Sequence, residues 1–277
     1  MRVFRPGEKA IITVAVNGSL PTKEHTPYVP VTPAEVIEDA VRCWEAGASV
    51  VHIHARDQDQ RPCHDYEFFA ECLDGIRRRC DIIVQLSTGA RGRIDPDTRV
   101  RAADLRPDMM SLNCGSCNFS NEAFVNSLQD IELWLGRMKA YDVQPELECF
   151  DVAHIFTGLD LVKRELVELP VQFTIVLGVE GALPFTPQNF MHAYSCIPDE
   201  AMFGVIGVGQ YQLPMLTLAA ALGGNVRVGL EDNIYYSYRV LATNQQLVER
   251  AARILKECQR PIATPAEARL LLGIKNS

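Results

Sequence analysis

Two histidines separated by one residue close the apolar run 49–57, Ser-Val-Val-His-Ile-His-Ala-Arg-Asp. Side chains alternate faces along a strand, so a strand here turns His52 and His54 to the same side. Neutral imidazole is a common zinc ligand, and a pair on one face needs a third donor to make a catalytic site with an open position. Glu231, at the end of the apolar run 225–230, is the candidate. Arg227 precedes it by four residues, an even spacing that puts both on one face of an extended strand. There Arg227 could hold a substrate carboxylate while the metal polarises a nearby carbonyl. Without a metal, the same two residues would form an ion pair that only plugs the mouth of the fold.

Such a site needs a scaffold that gathers distant strand ends. Short β-branched runs predict strands over 10–18, 49–54, 81–87, 108–113, 145–150, 171–177, 201–208 and 225–230. Between and after them, helices are predicted over 32–46, 65–79, 96–104, 121–140, 158–168, 187–196, 212–223 and 244–258. Thr32-Pro33-Ala34-Glu35 combines an N-cap, Pro at the first helical position and Glu at the third, and Gly47 stops that helix. Eight β-α units in about 250 residues predict right-handed crossovers and a closed (β/α)8 TIM barrel, of the α/β class. An open doubly wound sheet is the second choice, and the absence of a Gly-rich turn after the first strand argues against it. Thr264-Pro265-Ala266-Glu267 is another capping box, starting an extra C-terminal helix that packs on the barrel or on a neighbouring subunit. Residues 1–277 are expected to form one barrel domain.

Barrel enzymes place their chemistry at the C-terminal ends of the strands. Here those ends carry Asn17, His52, His54, Ser87, Thr88, Ser111, Asn113, Glu146, Glu148, Glu180, Gln210, Arg227, Glu231 and Asp232. So many polar groups would be costly in a plain core. Cys114-Gly-Ser-Cys117 lacks a second cysteine pair and reads as coincidence, and His25, His64, His154 and His192 read as surface or packing residues. The Gly204–Gly209 segment has the wrong spacing for a dinucleotide fingerprint. A net charge of −8 disfavours nucleic acid and anionic membrane as partners. With no signal-peptide pattern, no apolar run of membrane-spanning length and nine scattered cysteines, a cytoplasmic location is expected.

Several segments, in order, carry a family resemblance. They include Val-His-Ile-His-Ala-Arg (51–56), Gln-Leu-Ser-Thr-Gly (85–89), Ser-Leu-Asn-Cys-Gly (111–115), Pro-Glu-Leu-Glu (145–148) and Arg-Val-Gly-Leu-Glu-Asp-Asn (227–233). Together they resemble the β-keto acid cleavage enzymes across nearly the whole chain. The resemblance implies a zinc-dependent barrel that converts a β-keto acid and acetyl-CoA into acetoacetate and the CoA ester of the shortened acid. It implies one zinc per chain on His52, His54 and Glu231, and a keto acid held by Ser87, the Gly89-Ala90 turn, Ser111 and Asn113. Glu148 would sit in the pocket wall, and Arg227 with Asp232 would form the dyad that assists proton removal. It also implies a homo-oligomer, a tetramer.

One departure bears on substrate. Family members acting on amino-bearing substrates carry an acid in a Gly-x-Glu context of the first loop, whereas this chain reads Gly18-Ser19-Leu20. Leu20 cannot balance an ammonium group, so a neutral, aliphatic β-keto acid is expected, with Glu24 the substitute if an amine is used. The competing readings are a metal-dependent barrel hydrolase or aldolase, and a catalytically silent metal- or CoA-binding module. A hydrolase of the amidohydrolase type would carry His-x-His on its first strand.

Overall fold

Val- and Ile-rich runs too short for helices become parallel strands, each backed by a helix that in most cases is capped by its own side chain. The computed structural model describes residues 7–90 and 94–275. In chain order the elements are β1 Ile12–Ala15, α1 Pro33–Glu45, β2 Val50–Ile53, β3 Ala55–Arg56, β4 Pro62–Cys63, α2 Tyr66–Arg77 and β5 Ile83–Leu86. Then come α3 Pro96–Val100, β6 Met109–Asn113, β7 Cys117–Phe119, β8 Glu122–Phe124, α4 Leu128–Ala140, β9 Gln144–Cys149, α5 Val152–Lys163 and β10 Gln172–Leu177. The chain finishes with α6 Pro187–Cys196, β11 Met202–Gly207, α7 Gln212–Leu222, β12 Asn225–Val228, β13 Tyr235–Ser237, β14 Val240–Leu241, α8 Asn244–Glu257 and α9 Pro265–Leu272.

Strands β1, β2, β5, β6, β9, β10, β11 and β12 close into a barrel in sequence order, with β12 returning to β1. This is the expected (β/α)8 fold. Register sets His52 beside Ala15 and Gln85, and Glu148 beside Asn113 and Thr174. The remaining strands make three hairpins, β3–β4, β7–β8 and β13–β14, inserted after barrel strands and so at the mouth.

The structure corrects some boundaries. Residues 121–127, expected to be helical, belong largely to the β7–β8 hairpin, and α4 starts only where the Ser127 side chain accepts the Asp130 amide. The helix expected over 158–168 begins six residues earlier, because Asp151 caps it, and stops before Glu165, whose φ is +58°. The helix expected over 96–104 ends at Val100 and continues as a 3-10 turn. The strand expected over 225–230 stops at Val228, since Gly229 takes φ +137° and a Cβ there would lie 2.1 Å from the Ala15 carbonyl oxygen. Only glycine fits that approach.

The apolar core fills the layer between barrel and helices, with Trp134, Phe69, Phe173, Phe190 and Phe203 among its fully buried side chains. The extra helix α9 docks on the foot of the barrel, where Ala268 and Leu272 pack with Ile11, Val50, Ile83 and Met109. Burying a leucine there stabilises by roughly 1.5–3 kcal/mol.

Candidate active site

Strand β2 delivers His52, and His54 follows one residue beyond it; their ring centroids are 5.1 Å apart. His52 Nδ1 lies 2.7 Å from Gln85 Oε1, while the Gln85 amide donates to Glu146 Oε2 at 2.6 Å. The amide oxygen can only accept, so Nδ1 carries the hydrogen and Nε2 keeps its lone pair for the cavity. Glu146 is held in turn by Gln172 Nε2 at 2.6 Å and by the Thr174 hydroxyl. This buried chain fixes both tautomer and ring orientation, as outer partners of metal-binding histidines do. Asn17 clamps the His54 backbone, donating to its carbonyl at 2.8 Å and accepting from its amide at 3.0 Å.

Glu231 faces both rings. Its Oε1 lies 3.2 Å from His54 Nε2 and its Oε2 lies 3.6 Å from His52 Nε2. Gly18, at φ +60°, lets the first loop approach, since a Cβ there would fall 2.3 Å from Glu231 Cγ. His52, His54 and Glu231 each offer one donor atom within 4.8 Å of the others. His54 Nε2 and Glu231 Oε2 are buried and have no hydrogen-bond partner. Burial pushes His52 down to about 3, so it stays neutral, the form that binds a metal. Two imidazoles and a carboxylate with unmet atoms facing one another fit a divalent ion.

Arg227, buried, ties three acids together. Its Nε and Nη2 donate to the two oxygens of Asp232, both at 2.9 Å; Nη2 also reaches Glu231 Oε1 at 2.6 Å, and Nη1 reaches Glu148 Oε1 at 3.3 Å. The Arg227–Glu231 pair forms through the turn at Gly229, and not along one extended strand as the spacing suggested. It leaves the second oxygen of Glu231 unpartnered. Burial raises Glu148 to about 8 against the pull of Arg227, and raises Asp232 to about 6 in the same way. Burial also works to raise Glu231, but Arg227 with the two histidines overcomes it and holds that carboxyl well below the carboxylate range. At neutral pH the cluster therefore contains a cation, two carboxylates and, in Glu148, a neutral acid.

A cavity of about 680 Å³, counted out to its open rim, lies above this cluster. Its polar side brings together Ser87, Gly89, Ala90, Asn113, Glu148, Arg227 and Asp232 with the two histidines and Glu231. Asn113 Oδ1 is buried there without a partner. Buried Arg99 fixes the loop after β5, donating to the carbonyl of Thr88 at 2.7 Å and to Asn126 Oδ1 at 2.6 Å. Two expected residues are not on the wall. Ser111 sits one layer below Asn113, its hydroxyl accepting the Thr88 amide at 3.3 Å. Leu20 is 51% exposed and turned outward, leaving Ser19 to line the cavity.

Sequence reasoning missed the opposite wall, which is apolar: Phe119 and Phe124 from the β7–β8 hairpin, with Phe150, Val176, Val179 and Ile206. The three phenylalanines meet edge to face at 6.0–6.2 Å. Phe150 was legible as the residue after Glu146 and Glu148 on the same strand face; the hairpin was not. Glu180 latches that hairpin, its carbonyl accepting the Ser120 amide at 2.7 Å. Gln210 is exposed outside this cavity, and His154 Nδ1 accepts the Phe150 amide at 3.2 Å. Cys114 and Cys117 are free thiols, and neither belongs to a metal-binding group among the described residues.

Comparison with known proteins agrees with this arrangement. The sequence profile of the beta-keto acid cleavage enzymes matches residues 9–274, and the chain belongs to that family. It is 42% identical over 270 residues to a 3-keto-5-aminohexanoate cleavage enzyme of Acetoanaerobium sticklandii, covering 96% of this chain and 99% of the relative. It is 36% identical over 272 residues to a 3-oxoadipate:acetyl-CoA acetyltransferase of Cupriavidus necator, covering 96% and 95%. Among solved structures, the apo structure of ObcA superposes with a TM-score of 0.78 at 20% identity; the match covers 90% of this chain and 66% of ObcA, and shows the shared barrel. Among the described residues no helix is long and apolar enough to cross a membrane.

Proposed function

We propose that the chain exchanges acyl groups between a β-keto acid and acetyl-CoA, yielding acetoacetate and the CoA ester of the shortened acid. The observation that carries this reading is the pair of unmet atoms, His54 Nε2 and Glu231 Oε2, beside an acid held in two-pronged fashion by Arg227. His52, His54 and Glu231 would hold one zinc ion, which when bound polarises carbonyl oxygens as a Lewis acid. Asp232 accepts the proton from the carbon between the two carbonyls, and Arg227 aligns that carboxylate. That carbon then bonds to the acetyl carbonyl carbon as the thioester C–S bond breaks and the CoA thiolate leaves. The thiolate attacks the original acyl carbonyl, whose bond to the central carbon breaks, and that carbon takes back the proton from Asp232 and leaves as acetoacetate. Glu148, neutral at pH 7, offers its hydroxyl to an oxyanion as charge develops. The aromatic wall takes the substrate tail.

That wall favours a neutral, aliphatic tail, since each methylene buried against it contributes ~0.8 kcal/mol. A specific observation supports a second reading. Glu122, exposed on the hairpin, lines the rim of the same cavity and could meet an ammonium group. The experiment is to supply purified protein with acetyl-CoA and a panel of β-keto acids, and to measure acetoacetate and the new CoA ester. Equimolar products are expected, with kcat/KM for a short neutral 3-keto acid above that for its 5-amino analogue. A tenfold preference for the amine that Glu122→Gln abolishes would select the second reading. No CoA ester from any acid in the panel would remove both.

A further inference from the structure

The reaction proposed above requires a long, anionic co-substrate to reach the cavity, and a second groove opens beside it. This groove, about 1420 Å³ counted to its open rim, lies between the β11–α7 turn and the β13–β14 hairpin. Val208 lines both spaces, so the groove adjoins the flank of the active-site cavity. Its floor at Gly209 is open: φ is +61°, and a Cβ built there meets nothing within 4 Å.

The lining is chemically one-sided. In a chain of net charge −8 the groove holds Arg239 and Arg250, four tyrosines and no Asp or Glu. Tyr238, at the hairpin tip, is 83% exposed, and the Arg239 guanidinium lies 5.0 Å from its ring. Arg250 stacks 4.6 Å from the Tyr236 ring and donates Nη1 to that residue's carbonyl, while its Nε is buried without a partner. Exposed aromatic faces stack on nucleobases, and guanidinium groups pair with phosphates.

We infer that this groove binds the nucleotide end of acetyl-CoA, with phosphates on Arg239 and Arg250, adenine on Tyr238, and the pantetheine arm passing Gly209 and Val208 into the cavity. This inference rests on the reading of the cavity as an acetyl-CoA-dependent site.

The test is calorimetric titration of CoA into the full-length protein and into the variant Arg239→Glu/Tyr238→Ala, whose changes are on exposed side chains. The variant should bind CoA at least tenfold more weakly. Its KM for acetyl-CoA should rise at least tenfold while KM for the keto acid moves less than twofold. The loss should shrink at least fivefold when the N-acetylcysteamine thioester, which lacks the nucleotide, replaces acetyl-CoA. Undiminished CoA binding by the variant, or no CoA binding by the wild type, overturns the assignment. So does an equal loss with the short thioester, or a change of oligomeric state on gel filtration, which would make the groove a seat for a second copy. The two proposals separate cleanly. A protein that turns over no β-keto acid but shows the calorimetric difference keeps the groove and loses the cleavage reading, and an active protein whose variant binds CoA normally loses the groove alone.

Discussion

At the foot of the barrel Asp108 is buried and fully met: its Oδ2 accepts the Val84 amide at 3.0 Å, and its Oδ1 takes Arg269 Nε and Nη2 at 3.2 and 3.1 Å. At the mouth Glu231 also faces an arginine, yet its Oε2, His54 Nε2 and Asn113 Oδ1 have no hydrogen-bond partner. Both ends place an acid against a guanidinium. The foot completes its polar contacts with backbone and with the arginine of α9; the mouth leaves them open toward a cavity. Buried polar atoms are normally paired, so the open set marks where a ligand belongs.

Removing one carboxylate at each end should separate the two designs most sharply. Asp232→Asn is expected to lower kcat by ~10²–10⁴ with little change in melting temperature, and Asp108→Asn to do the reverse, costing roughly 1–3 kcal/mol of stability with kcat retained. Steady-state kinetics and thermal melts on both variants check this. Arg227→Ala is a poorer probe than its place near the mouth suggested: the side chain is buried among three acids, so its loss should also cost roughly 3–5 kcal/mol of stability.

Asp232 and Glu148 together predict a bell-shaped pH profile. Catalysis that needs Asp232 ionised rises through about pH 6, and catalysis that needs Glu148 protonated falls through about pH 8. A bound cation moves both limbs downward. Glu148→Gln should erase the alkaline limb; an unchanged limb assigns it to another group.

A smaller effect is expected one contact away from the metal pole. Gln85→Leu breaks the chain from His52 to Glu146 and should weaken zinc affinity by 10–100-fold, read by competition with a chelating dye. Unaltered affinity would mean that packing alone orients His52.

A last effect, on stability alone, lies outside both ends. Asp39 of α1 is buried and accepts from Asn244 at 2.6 Å, and burial raises it to about 6 from 3.8. The folded state holds this proton more tightly than the unfolded chain does. Its contribution to stability is therefore greatest below about pH 4 and is lost as pH rises through 6, a difference of up to roughly 3 kcal/mol. Asp39→Asn should stabilise the protein at pH 7.5 and flatten the change in urea midpoint between pH 4.5 and 7.5.

The barrel was legible because its signals are local and repeated: β-branched runs recur eight times, and capping boxes start α1, α8 and α9. His52, His54 and Glu231 were legible because strand periodicity and strand-end position fix them. What escaped depends on contacts between residues distant in sequence. The second strand of the β7–β8 hairpin was read as helix, since Glu122 and Ala123 suit a helix and nothing local signals the latch to Glu180. Leu20 was assigned to the substrate because of its place in the first loop, but the turn that Gly18 needs to pass Glu231 rotates the next two residues, and Ser19 faces inward instead. Gln85 looked like a strand residue of no special role until register set it beside His52.

The central claim is that His52, His54 and Glu231 hold a metal ion, and stoichiometry tests it most directly. Elemental analysis of purified, dialysed wild-type protein should find one zinc per chain, and His52→Ala/His54→Ala protein, folded by circular dichroism, should retain none. Undiminished stoichiometric zinc in the double variant would contradict the account.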